Sequence, residues 1–107
     1  MDSFNSRERA EEKKFQLSQE LEFKAQARRN KRLGLWAASL MGVTGEAADA
    51  YAASVVASDF AEAGDDDVFR KVRADLDAKG VKQSDHQLRA RMDELLLEAR
   101  AEVKAGN

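Results

Sequence analysis

Apolar residues are unevenly spread along this chain. Leu33, Trp36, Ala37, Leu40 and Met41 stand at the i, i+3, i+4, i+7 and i+8 positions of one helix face, a stripe broad enough to bury. Nothing before Gly34 breaks a helix, so the pattern predicts one long helix from about Ser6 to Met41. Its first half is different. Phe4 and Phe15 lie three turns apart on nearly one face, with Glu8, Glu11 and Glu12 between or beside them, while Ala10, Leu17 and Leu21 mark a separate face. Neither makes a core stripe, so residues 1–20 are expected to form a flexible, partly helical arm that lacks apolar area to offset its own ordering. Docking is expected from Leu21 and Ala25 onward.

Three further helices are predicted. Gly42 should end the first in a left-handed conformation, with Val43 folding back on Ala38. Thr44 then caps a second helix to about Ala61, whose inward face is Ala48, Tyr51, Ala52, Val55, Val56 and Phe60, with Gly64 as its stop. Asp65, Asp66 and Asp67 open a third, one as cap and the others against the helix dipole, with Val68, Phe69, Val72 and Leu76 inward. Gly80 followed by Val81 closes it in a Schellman arrangement on Leu76. Ser84 with Gln87 is a capping box for a fourth helix, along which Leu88, Met92, Leu95, Leu96, Ala99 and Val103 repeat at helical spacing. Short connections imply antiparallel neighbours, so the expected fold is an all-α, antiparallel four-helix bundle over residues 21–107, preceded by the arm at 1–20. Gly34, inside the first helix, is read as a point of close approach by a neighbouring helix.

Composition supports this reading. The 107 residues contain no Pro and no Cys, which removes helix breakers, disulfides and thiolate metal sites together. The opening Met-Asp-Ser-Phe-Asn-Ser lacks the basic and apolar run of a secretion signal, and no apolar run is long enough for a membrane span. A cytoplasmic protein without membrane insertion is expected. Residues 1–32 hold nine Lys/Arg against six Asp/Glu, a net +3, and residues 33–107 hold nine against fourteen, a net −5. A weakly basic stretch 1–32 before an acidic remainder is too little positive charge to favour nucleic acid.

Candidate chemistry is sparse. His86 is the single histidine, and its neighbours Ser84 and Asp85 cannot form a triad with it because consecutive helical residues point apart. A calcium loop at Asp65 fails, with Phe69 at the fifth position, Arg70 at the sixth and Leu76 at the twelfth. Gly42-Val43-Thr44-Gly45 lacks the Lys and Ser/Thr ending of a phosphate loop. No metal or cofactor is expected, and no set of nucleophile and base suggests an enzyme. Arg28, Arg29, Lys31 and Arg32 beside Trp36 form a possible site for the phosphates and ring of an adenine nucleotide, against the plainer reading of a core Trp flanked by solvated cations.

Four segments carry a family resemblance: Phe4-Asn5-Ser6-Arg7-Glu8-Arg9-Ala10-Glu11-Glu12-Lys13-Lys14-Phe15, Phe23-Lys24-Ala25-Gln26-Ala27-Arg28-Arg29-Asn30, Leu33-Gly34-Leu35-Trp36-Ala37-Ala38, and Ser58-Asp59-Phe60 through Gly64 to Lys71. In this order they resemble the zeta subunit family, bacterial inhibitors of the F-type ATP synthase. Ala63 departs from the family, where Pro often precedes the Gly. The resemblance implies a regulatory subunit of the catalytic sector, held peripherally on the cytoplasmic side of the inner membrane, whose N-terminal segment enters a catalytic interface as a helix and blocks ATP hydrolysis. Under that reading Phe4 and Phe15 fill apolar pockets, Arg7, Arg9 and Lys14 pair with carboxylates, and Glu8 and Glu12 support the helix. The alternatives are a nucleotide-binding regulatory bundle and a general helical interaction module.

Overall fold

Four helices follow one another with short connections: α1 (Asp2–Leu40), α2 (Gly45–Ala57), α3 (Asp66–Ala78) and α4 (Asp85–Lys104). The computed structural model describes residues 2–59 and 65–106, with side chains from Ser18 onward. The expected side chains of residues 4–15, and the expected positions of Phe60, Ala61, Ala63 and Gly64, lie outside what is described. The helices form the expected all-α four-helix bundle. Its shape is elongated, 64 × 24 × 20 Å, because α1 is three times the length of α2.

From Glu22 onward α1 finds partners running the other way on two sides. Gly34 meets Ala52 and Val55 of α2 while Asn30 reaches Asp59, and Glu22 meets Arg100 of α4 while Trp36 lies under Arg91. The core has two parts. In the larger, Leu33 and Ala37 of α1, Val55 of α2, Val68, Val72 and Leu76 of α3, and Leu88, Met92 and Leu95 of α4 pack together. In the smaller, only α1 and α4 meet, through Ala25 against Leu96, Ala99 and Val103, with Leu21 alongside. The second half of α4 is therefore a splint that supports α1 as far back as Leu21.

Local signals explain the helix ends. Gly42 has φ +75°, and the Val43 N–H donates to the Ala38 carbonyl at 2.8 Å. Gly80, with φ +71°, repeats the device, the Val81 N–H donating to Leu76 at 2.9 Å. At α4 the Ser84 hydroxyl accepts from the Gln87 N–H at 3.0 Å, and the Gln87 side chain accepts from the Ser84 N–H at 2.9 Å. All six residues expected on the inner face of α4 are buried.

Three expectations need correction. The second helix ends at Ala57, not near Ala61: the Ser58 hydroxyl donates back to the Val55 carbonyl at 2.6 Å, and Asp59 turns to α1. Thr44 does stand at the N-cap with extended backbone, but its side chain makes no capping bond. On α1, Leu40 surfaces and Ala38 is buried in its place, because α2 packs on the side of α1 that carries Gly34 and Ala38.

Gly34 has the role expected of it. A β-carbon there would stand 2.6 Å from the Ala52 Cα, inside the contact distance of a backbone atom that has no rotamer to yield. Gly34→Ala gains about 1 kcal/mol of helix propensity, yet it must part α1 from α2. A net loss of about 2 kcal/mol is expected, read as a lower urea midpoint at unchanged slope.

Candidate functional site

Ala25, Arg29, Leu33 and Ala37 are spaced by four and so share one row of α1; all four are buried. A guanidinium thus sits in a row of apolar positions, at 0% exposure. Its Nε donates to Asn30 Oδ1 at 2.6 Å and its Nη2 to Asp65 Oδ1 at 2.7 Å. Asn30, also buried, donates from Nδ2 to Asp59 Oδ2 at 2.9 Å. Two adjacent residues of α1 therefore grip Asp59, just past the cap of α2, and Asp65, the residue before α3. Nη1 of Arg29 is buried without a partner among the described residues. The charge-assisted bond to Arg29 holds the Asp65 carboxyl below the usual carboxylate range, against the opposing effect of its partial burial.

This clasp also corrects the expected role of the aspartates. Asp65 stands at the N-cap of α3 but makes no side-chain capping bond, because its carboxylate is taken by Arg29. Asp66 and Asp67 are in the first turn as expected, paired with Arg89 and Arg70. The sequence reading missed the clasp by treating Arg28 to Arg32 as one basic cluster. The four-residue spacing of Arg29 from Ala25 and Leu33 was the available signal.

The basic residues next to Trp36 do not converge. Arg28 and Arg32 both bond to Glu102 of α4, at 3.1 and 2.5 Å, while Arg29 is inside. Trp36 is half-buried against the core with the Arg91 guanidinium 5.4 Å from its ring centre. Lys31 is exposed. A surface hollow of about 570 Å³ is bordered by Arg28, Lys31 and Arg32 together with Ala27, Leu35 and Val56; Trp36 is not part of it. His86 is exposed in the first turn of α4. Among the described residues, no three His, Asp or Glu side chains group to hold a metal.

The remaining feature is the arm itself. Helix α1 is continuous from Asp2, yet the first of its residues to pack on another helix among those with described side chains is Leu21. Ser18, Gln19 and Glu20 are exposed. On the α4 side, Arg100 makes a bidentate pair with Glu22, at 2.9 Å from Nε and 2.5 Å from Nη2, and this pairing lowers the Glu22 pKa. Helix α4 thus holds α1 at Leu21 and Glu22, and about 28 Å of helix precedes Leu21 in α1.

A four-helix bundle that carries a long leading helix is a small all-α helical domain. The family model described as ATPase inhibitor subunit zeta matches residues 1–102, and the chain belongs to that family. It is an inhibitor-subunit family, which makes the protein a regulator associated with the ATP synthase. A solution NMR structure is 46% identical in sequence, with a TM-score of 0.70, over 81% of this chain and 99% of that one. No curated protein sequence matches significantly. Among the described residues no helix is long and apolar enough to cross a membrane.

Proposed function

We propose that this chain inhibits ATP hydrolysis by the F-type ATP synthase without itself being an enzyme, its first 20 residues entering a catalytic interface as a helix while residues 21–107 stay outside as the bundle domain. The observation that carries this reading is the layout of α1: the helix begins at Asp2, and among its residues with described side chains the first to pack on the bundle is Leu21. Such a segment has little to bury at home and is suited to completing its contacts on a partner. In this reading Phe4 and Phe15 are apolar anchors, Arg7, Arg9 and Lys14 meet carboxylates of the partner, and Glu8 and Glu12 support the helix at i, i+4 spacing. The protein then acts from the cytoplasmic side, peripheral to the membrane.

Titration of the full chain into purified ATPase sector tests this. Hydrolysis should fall to a plateau, and replacing both Phe4 and Phe15 by Ser should raise the half-inhibitory concentration by roughly a hundredfold, the sum of two buried aromatic anchors. Equal inhibition by the double variant would overturn the mechanism.

A second and compatible reading takes Arg28, Lys31 and Arg32, which border the 570 Å³ hollow, as receiving the phosphates of an adenine nucleotide in competition with Glu102. Backbone NMR shifts on addition of ATP or ADP should then map to residues 27–35. Unchanged spectra at millimolar nucleotide would remove this reading.

A further inference from the structure

Phe23 is 75% exposed, although it lies on the helix that organises the core. The reason is a difference in reach between the two helices that flank α1. On one side α4 supports α1 back to Leu21 and Glu22. On the other side α2 ends at Ala57, and the residue that follows its cap, Asp59, is bonded to Asn30, seven residues and about 10 Å short of Phe23 along the axis. The Phe23 ring stands over a small hollow of about 80 Å³ whose apolar walls are Ala27 and Val56. Among the described residues it is the large apolar group left exposed at the end of the bundle nearest residue 20.

The backbone fixes where that group sits. There is no Gly or Pro between residues 2 and 33, and α1 is one helix throughout, so Phe23 is about 12 Å beyond residue 15 on the same rod. A partner that encloses the arm up to residue 20 stands within one turn of Phe23. Lys24, next to it, is also exposed.

We infer that the interface with the ATPase sector does not stop at residue 20 but continues onto the bundle at Phe23, whose ring seats in an apolar surface of that sector beside the mouth of the catalytic interface, with Lys24 facing a carboxylate. The inference rests on the arm reading above and adds to it a fixed stop: the bundle is pressed against the outer surface at Phe23, and this sets how far the helix enters. An aromatic side chain with two rotatable bonds is well suited to such a contact, since it brings a large area at small entropic cost.

The test compares full-length variants for inhibition of purified ATPase sector. Phe23→Ser should raise the half-inhibitory concentration about tenfold or more, and Phe23→Leu should recover most of that loss. Leu97→Ser is the control: Leu97 is 71% exposed but lies on α4 and not on the helix that continues into the arm, and its replacement should leave inhibition unchanged. Helical circular dichroism and thermal midpoints should match the parent in all three. If Phe23→Ser inhibits at the parental concentration while the Phe4 and Phe15 double variant does not, the Phe23 contact is overturned and the arm reading stands. If Leu97→Ser weakens inhibition as much as Phe23→Ser, the contact is likewise overturned. If the double variant inhibits normally, both readings fall.

Discussion

Removal of residues 1–17 is expected to abolish inhibition of ATP hydrolysis while leaving the bundle folded. Every buried apolar residue of both core clusters lies at Ala25 or later, and the partly buried Leu21 is also retained. The shortened chain therefore keeps its packing, its α4 capping box and both glycine stops, and its thermal midpoint should stay within about 5 °C of the parent. Binding is another matter. In the proposed mechanism the affinity comes from the contacts that the arm makes on the partner, in excess of the cost of fixing its side chains there. With those contacts gone, the Phe23 end of the bundle alone should bind weakly. The measurement is steady-state hydrolysis by purified ATPase sector against inhibitor concentration. A truncated protein as potent as the full chain would show the arm to be incidental.

The largest loss of stability is expected at Arg29. Replacing it by Ala leaves Asp65 and Asn30 facing a hole where a buried cation had matched them, and broken buried pairs cost about 3 to 5 kcal/mol. Solvent reaching the partly exposed Asp65 softens this, so about 3 kcal/mol is the expected figure. Against a total of 5 to 15 kcal/mol for a domain of ordinary size, that is a large fraction. Arg29→Lys should not restore it, because a single ammonium cannot serve Asn30 and Asp65 in two directions from one planar group. Urea unfolding measures both.

The same variant should also change the response to acid. The Asp65 pKa is lowered in the folded protein, so its pairing with Arg29 contributes fully above the ordinary carboxyl value of about 3.9 and is lost as pH falls through the lower, folded value. The parent should lose stability on acidification below about pH 4, as Asp65, Glu22 and Glu102 protonate, all three being lowered by Arg partners. Arg29→Ala should lose less over that range, since the Asp65 share is already absent. An equal acid slope in the two proteins would show that Asp65 draws little from Arg29.

The exposed pairs need less weight. Glu102 is shared by Arg28 and Arg32, and Arg100 holds Glu22, but such contacts at the surface are typically worth less than 1 kcal/mol each. Their placement matters more than their energy. They sit where α4 flanks α1, from Arg32 back to Glu22.

Most of the fold was legible in the chain because its signals are local. A residue with φ above zero ends a helix within two positions, as at Gly42 and Gly80, and a capping box spans three, as at Ser84 and Gln87. The inner face of α4 follows from spacing alone. Gly34 was also readable, since a glycine inside a long helix needs a neighbour pressed against it, and Ala52 is that neighbour. The early end of α2 was less so: Ser58 and Asp59 continue a helix or stop it according to what stands beside them, and Asn30 decides it.

The functional surface divides in the same way. The amino-acid sequence by itself determined four helices, most of their end signals and most of the core, because each depends on periodicity and on residues within about one turn of each other. Tertiary structure alone decided that Arg29 lies inside and not with Arg28 and Arg32 at the surface, that Asp65 serves α1 and not its own helix, and that α2 stops short and leaves Phe23 bare. Those outcomes depend on which helix stands opposite and how far it extends, and residues 29 and 65 become neighbours only when the chain between them has folded back.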